Sequence, residues 1–474
     1  MIGCTSLLTL VLALVNNASL CLADDTQVAN FDIPPSVAAA HDCDTVCQRR
    51  LNLTIPADRD AVGLKFDVNF FATASNFSET ETKPGDVLKL QPVDPKTLQI
   101  NGGATVYRFQ YASSDYDNRT VPVTGFIAFP FTPHMSPDTE DSSKYRLAAF
   151  AHGTVGIFAG CAPSNGPLLY DYGTWQQVLQ RGYAIVATDY AGLGNNYTTH
   201  KYLHLPSHAN DIYYSVVAAR KLFGSSLTDN WVSFGHSQGA GAVWKLAESM
   251  HVRNDASYLG TVAIAPATYL ATQLLEGATS LGSGGVTGIG FLPLIPTAVQ
   301  RVITEYKPSI LTPVMQNRVQ MATKAQLCLE GILGLSIDLN TTQVIDISGA
   351  AKDVPVLQQF QNMTAPAQGD HSPAPILVIQ GQNDTAVSWK VTEKAWGASC
   401  AVGNEVHLRV FPTQGHRPSL TAGAPEWLAW MDARFSAPVT KSCARKGCTK
   451  YTREPFNLAF VRAPTDIDLK PYLG

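Results

Sequence analysis

The chain has 474 residues, 45% of them hydrophobic and 15% charged, with a formal net charge of −4. That balance suits a folded chain with a large core and argues against disorder. Lys and Arg do not gather into a basic stripe, so nucleic acid is not an expected partner.

Leu7 to Val15 is an apolar run followed by a small-residue site ending Cys21-Leu22-Ala23, which reads as a secretory signal over 1–23. The competing reading, a membrane anchor, suffers because the run is too short to span a bilayer comfortably. Residues 24–101 are rich in Thr, Asp, Pro and Asn and read as an irregular arm, pinned by Cys43 and Cys47, with one helix-like piece around Ala57 to Asp67. Val106 to Ala112 and Val121 to Pro130 then alternate like paired strands.

From there the pattern is strand, loop, helix, strand. Leu147 to Ala151 ends at His152-Gly153-Thr154; Tyr183 to Thr188, Trp231 to Phe234 and Thr261 to Ala265 are further strands, separated by helices at Trp175 to Gln180 and Asp211 to Phe223. Such alternation predicts an α/β fold, a mostly parallel sheet with helices on both faces, and ligands at the carboxyl ends of the strands. The rhythm stops over 267–374, which reads as an inserted, mostly helical cap with helix-like Met315 to Ile332 and a flexible Gly282-Ser283-Gly284-Gly285. It resumes with Ile376 to Ile379, a helix over Val387 to Ala398, a last strand Val406 to Phe411 and a closing helix Glu426 to Phe435. The core is thus expected over 102–266 and 375–436, and the tail 437–474 has no predicted role in the sheet.

At Gly235-His236-Ser237-Gln238-Gly239 an apolar strand meets a helix-like segment, Ala240 to Met250. A bare G-x-S-x-G arises by chance in roughly one in five chains of this length. Here strand, sharp turn and helix are what a nucleophile elbow requires, the glycines allowing close approach. A serine hydroxyl needs a base, and the base needs an acid to fix its tautomer; on this fold the two follow the nucleophile in the order acid, then histidine. Asp384 and His416 occupy those places, each just past a late strand. Singly, Asp384 reads equally as a turn former and His416 as a solvated loop residue. Asp346, Asp353 and Asp370 are competing acids, and His371 and His407 weaker bases. The oxyanion donors expected are the backbone N–H groups of Gln238 and Thr154.

Loss of the signal leaves seven cysteines, Cys43, Cys47, Cys161, Cys328, Cys400, Cys443 and Cys448, an odd number that spares one in an oxidising compartment. Asn52, Asn76, Asn118, Asn196, Asn340 and Asn362 open N-x-S/T sequons, predicted to carry glycans; Asn383 opens another but adjoins Asp384 and is not expected to be glycosylated.

Ala151-His152-Gly153-Thr154-Val155-Gly156, Cys161-Ala162-Pro163-Ser164, Asp189-Tyr190-Ala191-Gly192-Leu193-Gly194 and the elbow, in that order, resemble the secretory lipase family of fungi and some bacteria, from about Tyr107 to Arg434. The resemblance implies an α/β-hydrolase fold with a helical cap, ester hydrolysis, and a triad mapping onto Ser237, Asp384 and His416. It also implies a disulfide from Cys161 to Cys328 and another from Cys400 to Cys443 or Cys448. Members include lipases and esterases that deacylate trichothecene-type metabolites. The expected protein is therefore a secreted, monomeric serine ester hydrolase acting on a small-molecule or lipid ester, with transient contact to a lipid surface and neither metal nor organic cofactor. The rivals are an acyltransferase or peptidase on the same fold and a non-catalytic binding module, which would normally lose triad members.

Overall fold

The computed structural model describes Ala29 and residues 32–135, 143–279, 290–436 and 447–464. The signal segment, Gly282 to Gly285 and Cys443 lie outside them.

Ten strands form one sheet: β1 (Val87–Pro92), β2 (Thr105–Ser114), β3 (Thr120–Phe129), β4 (Tyr145–Ala151), β5 (Tyr183–Thr188), β6 (Leu227–His236), β7 (Tyr258–Ile264), β8 (Ile376–Gly381), β9 (Val406–Phe411) and β10 (Thr449–Thr452). Their spatial order is β1-β2-β3-β5-β4-β6-β7-β8-β9-β10. The pairs from β1 to β5 are antiparallel and those from β5 through β4 to β10 parallel. On β4 the side chains alternate between two cores: Leu147, Ala149 and Ala151 face one, Ala148 and Phe150 the other. Both faces are covered, so β5 and β8 are buried along their whole length.

The helices that position the site are α1 (Thr45–Val62), α2 (Tyr172–Leu179), α3 (Leu205–Phe223), α4 (Gln238–Ala247), α5 (Leu270–Thr279), α6 (Pro313–Ala325), α7 (Leu329–Gly334), α8 (Ile347–Thr364), α9 (Trp389–Ala401) and α10 (Pro418–Ser436). α3 and α4 pack on one face through Ile212, Val216, Val243 and Trp244. α2 and α10 pack on the other through Trp175, Val178, Trp427 and Met431. Helices α5 to α8 lie between β7 and β8.

Three expectations need correction. The arm is not irregular: β1 pairs with β2, and α1 is an 18-residue helix that starts well before Ala57. Pro56 lies inside α1, yet Cys47, Leu51, Ile55 and Val62 recur on one buried face and Asp44 caps its first turn by accepting from the N–H groups of Val46 and Cys47. Burial outweighs the cost of an internal proline. The single helix expected over Met315 to Ile332 is two, broken where Gln326 turns left-handed at φ 50°. The tail, given no sheet role, supplies β10, parallel to β9. Its Lys450, Tyr451 and Thr452 are exposed, so no apolar alternation marks it as a strand.

Disulfides join Cys43 to Cys47, Cys161 to Cys328 and Cys400 to Cys448. The second closes a separation of 167 residues and fixes α7 beside the loop after β4, where the Leu329 N–H donates to the Val155 carbonyl at 2.9 Å. α1 holds the same point, since buried Asp58 accepts from the N–H groups of Glu330 and Gly331, each at 2.9 Å. Asn52, Asn76, Asn118, Asn196, Asn340, Asn362 and Asn383 are all exposed.

Candidate active site

β6 ends at His236, Ser237 makes the turn, and α4 begins at Gln238. Ser237 has φ 58° and ψ −120°, a conformation L-residues adopt only when their surroundings impose it. The surroundings here are three backbone bonds: Ser237 N–H to the Ile264 carbonyl at 2.9 Å, and its own carbonyl accepting from Gly241 at 3.1 Å and Ala267 at 3.0 Å. The flanking glycines are required by space. A Cβ on Gly239 would stand 2.0 Å from the Ala151 carbonyl oxygen, and one on Gly235 2.6 Å from the Gly239 backbone. The elbow thus lies directly against the end of β4.

Asp384 sits on the turn after β8 and His416 on the turn after β9. The two turns are joined by Gln382 N–H to the Phe411 carbonyl and Asn383 N–H to the Gln414 carbonyl, both at 2.9 Å. His416 Nδ1 and Asp384 Oδ2 are 2.8 Å apart. The Asp384 carboxyl is wholly buried and fully engaged: Oδ1 accepts from Ala386 N–H at 2.9 Å and Val387 N–H at 2.7 Å, and Oδ2 also accepts from Gln380 Nε2 at 3.0 Å. An acceptor at Nδ1 fixes the proton there and leaves Nε2 as the basic nitrogen. The His236 ring packs 4.5 Å from that of His416, with Nε2 3.3 Å from the His416 carbonyl. His236 directly precedes Ser237, so the His416 loop packs against the residue that leads into the elbow. Among the described residues no hydrogen bond joins Ser237 to His416. Such bonds are often long in unliganded sites and tighten on the substrate.

The loop after β4 lies across the elbow, Gly153 within 3.5 Å of the Ser237 side chain measured from an added Cβ. Thr154 is buried, its hydroxyl 2.9 Å from the Tyr202 hydroxyl and its carbonyl bonded by the Tyr170 hydroxyl. The N–H groups of Thr154 and of Gln238, at the first position of α4, have no protein acceptor among the described residues. The competing acids are occupied elsewhere: Asp346 caps α8 through Gly349 N–H, Asp353 accepts from Tyr306, Ser309 and Ile310, and Asp370 pairs with Lys245. His407 lies on β9 between Glu405 and Thr449. Gln380, His236, Tyr170, Asp171 and Arg417 were not given roles from sequence; Gln380, four residues before Asp384 on a strand end, His236, beside Ser237, and Arg417, beside His416, carried a local signal.

Among the described residues, five imidazoles besides those of His416 and His407 are buried. Burial drives His152 and His204 down to about 4, and His200, His208 and His236 well below the usual value. Burial pushes carboxyls the other way, Asp58 and Glu248 up to about 8 and Asp211 to about 7. On acidification from about pH 8 the folded state takes up carboxyl protons that the unfolded chain does not bind, so stability rises. Below ~6.5 the unfolded histidines gain protons that the folded ones refuse, which opposes the gain. Melting temperature is therefore expected to climb from pH 8 to about 6.5 and then stop climbing. A continuous rise to pH 5 in scanning calorimetry would contradict the neutral buried histidines.

The secretory lipase family description matches residues 170–442, more than half of the chain. The chain belongs to the secretory lipase family. Lipases cleave carboxylic esters, and the protein is a carboxylic ester hydrolase. Among solved structures, the rice cell wall degrading esterase LipA from Xanthomonas oryzae aligns with a TM-score of 0.59 at 18% identity, over 74% of this chain and 100% of that one. Candida antarctica lipase A aligns at 0.62 and 16% identity, over 81% and 88%. A putative hydrolase from Legionella pneumophila aligns at 0.60 and 15% identity, over 76% and 100%. These likenesses give this secretory lipase the α/β-hydrolase fold. No curated protein matches the chain.

Proposed function

We propose that this secretory lipase is exported and cleaves acyl esters through Ser237, His416 and Asp384. The observation that carries the reading is the His416–Asp384 contact at 2.8 Å beside the strained turn of Ser237. The Ser237 Oγ attacks the ester carbonyl carbon while His416 Nε2 takes its proton; the N–H groups of Thr154 and Gln238 hold the oxyanion. The carbon–alkoxy bond then breaks, His416 protonates the departing alcohol, and water repeats the cycle on the acyl-enzyme to release the acid. The reading needs no metal or organic cofactor. Three disulfides and the six exposed sequons expected to carry glycans support export, with residues 1–23 as the signal, and among the described residues no helix is long and apolar enough to cross a membrane. The chain is further proposed to act as a monomer, with residues 267–374 as a cap over a core of 102–266 and 375–436.

Long acyl chains are the first-choice substrates, because the inserted helices bring apolar segments to the core. Deacetylation of a soluble secondary metabolite, of the trichothecene ester kind, is the second reading; that a structural neighbour is named an esterase and not a lipase keeps short acyl groups in view. Rates on p-nitrophenyl esters of two to sixteen carbons separate them. The lipase reading expects kcat/KM to rise with chain length; a steep preference for acetate would replace it with the second. A fluorophosphonate probe is expected to label Ser237, and peptide mapping that finds the label elsewhere would remove the proposed nucleophile.

A further inference from the structure

Leu169, Tyr170 and Asp171, just before α2, have φ of 48°, 42° and 49°. No other adjacent non-glycine residues among the described ones share that left-handed conformation. It is unfavourable for L-residues and survives only where contacts impose it. Two of these side chains end on the two loops of the active site. The Tyr170 hydroxyl donates to the Thr154 carbonyl, on the loop after β4. Asp171 Oδ1 accepts from Arg417 Nη1 at 2.9 Å, and Arg417 directly follows His416 on the loop after β9. The Asp171 side chain is 1% exposed although its partner is 57% exposed, and its Oδ2 has no hydrogen-bond partner. Burying a carboxylate with one oxygen unsatisfied is costly, and an ordinary turn has no need of it. Asp171 is the main cause that holds the Arg417 guanidinium above its usual pKa, with Tyr170 and the half-buried Glu330 of α7 acting in the same direction.

We propose that Leu169–Asp171 is a strained brace that sets the spacing between the oxyanion loop and the base loop, with Asp171, Tyr170 and Arg417 as positioning residues for ester hydrolysis. The inference rests on the triad reading and adds to it. Tyr170 fixes the peptide that follows the Thr154 N–H, and Asp171 fixes through Arg417 the backbone that carries His416. Displacements of about 1 Å in such groups cost on the order of a hundredfold in rate, so a brace acts on kcat and leaves ground-state binding little changed.

Asp171→Asn is the discriminating variant, because asparagine keeps the volume and tolerates the left-handed conformation while removing the charge. Measured on a short-chain p-nitrophenyl ester, it is expected to lower kcat about tenfold with KM within about twofold and no fall in melting temperature. Arg417→Gln is expected to match it, the double variant to be no worse than either single, and Arg417→Lys to recover part of the rate. Tyr170→Phe tests the other arm and is expected to lower kcat in the same way. Wild-type kcat in both Asp171→Asn and Arg417→Gln, a kcat loss that tracks a fall in melting temperature, or additive losses in the double variant would each overturn the brace. Ser237→Ala on the same substrate separates the two levels: wild-type turnover there rejects the triad itself, whereas the brace outcomes are read with Ser237 in place.

Discussion

Ser237→Ala is expected to lower kcat roughly 10⁶-fold, the loss typical when a serine hydrolase nucleophile is removed. The fold should survive. The turn is held by backbone bonds to Ile264, Gly241 and Ala267 and by the close approach of Gly239 to Ala151, none of which uses the hydroxyl. Alanine and serine pay a similar steric penalty at φ 58°, so the melting temperature should stay within a few degrees. Residual turnover would come from oxyanion stabilisation and binding. A purified, folded alanine variant that cleaves p-nitrophenyl esters at the wild-type rate would end the proposed mechanism.

Asp384→Asn carries the next largest effect, about 10⁴-fold in kcat. The environment of the carboxyl leaves an amide no good orientation. On the Oδ1 side stand two N–H donors, from Ala386 and Val387, so the amide oxygen must take that place. The amide NH₂ then faces the Gln380 NH₂ and His416 Nδ1. Nδ1 is forced to accept, the imidazole proton moves to Nε2, and the nitrogen that should take the serine proton no longer can. The expected signature is a collapse of kcat with near-normal binding of a non-hydrolysable ester analogue, measured by isothermal titration. Activity within tenfold of wild type would place the orienting acid elsewhere.

The core of the fold was legible from strand patterning: Tyr183 to Thr188, a run buried along its whole length, coincides with β5, and Val406 to Phe411, where Val406, Leu408 and Val410 alternate with His407 and Arg409, coincides with β9. The closing helix begins at Pro418 and not at Glu426, since its first turns are small and polar and its interior contains Pro425. Asp384 and His416 were found from chain order and strand ends, and the structure brings those side chains into contact. Side-chain partners that depend on distant segments left no trace in local pattern. Asp58 reaches Gly331 and Asp171 reaches Arg417 across separations no periodicity records. The strand β10 escaped for a different reason: it is four residues long with three of them exposed, so no apolar alternation marks it, and it is held by a disulfide and by the backbone it pairs with.

That added strand also decides how the molecule meets its neighbours. Without it, β9 would offer a row of bare amide and carbonyl groups close to His416, a ready template for sheet-to-sheet aggregation. β10 occupies that row, and its Lys450 and the Arg453 that directly follows the strand, tied to Glu393 and Glu426, stand along the new rim. Short length and ion-paired cations make a poor surface for further strand pairing, so the edge of the sheet nearest His416 is a poor template for self-association.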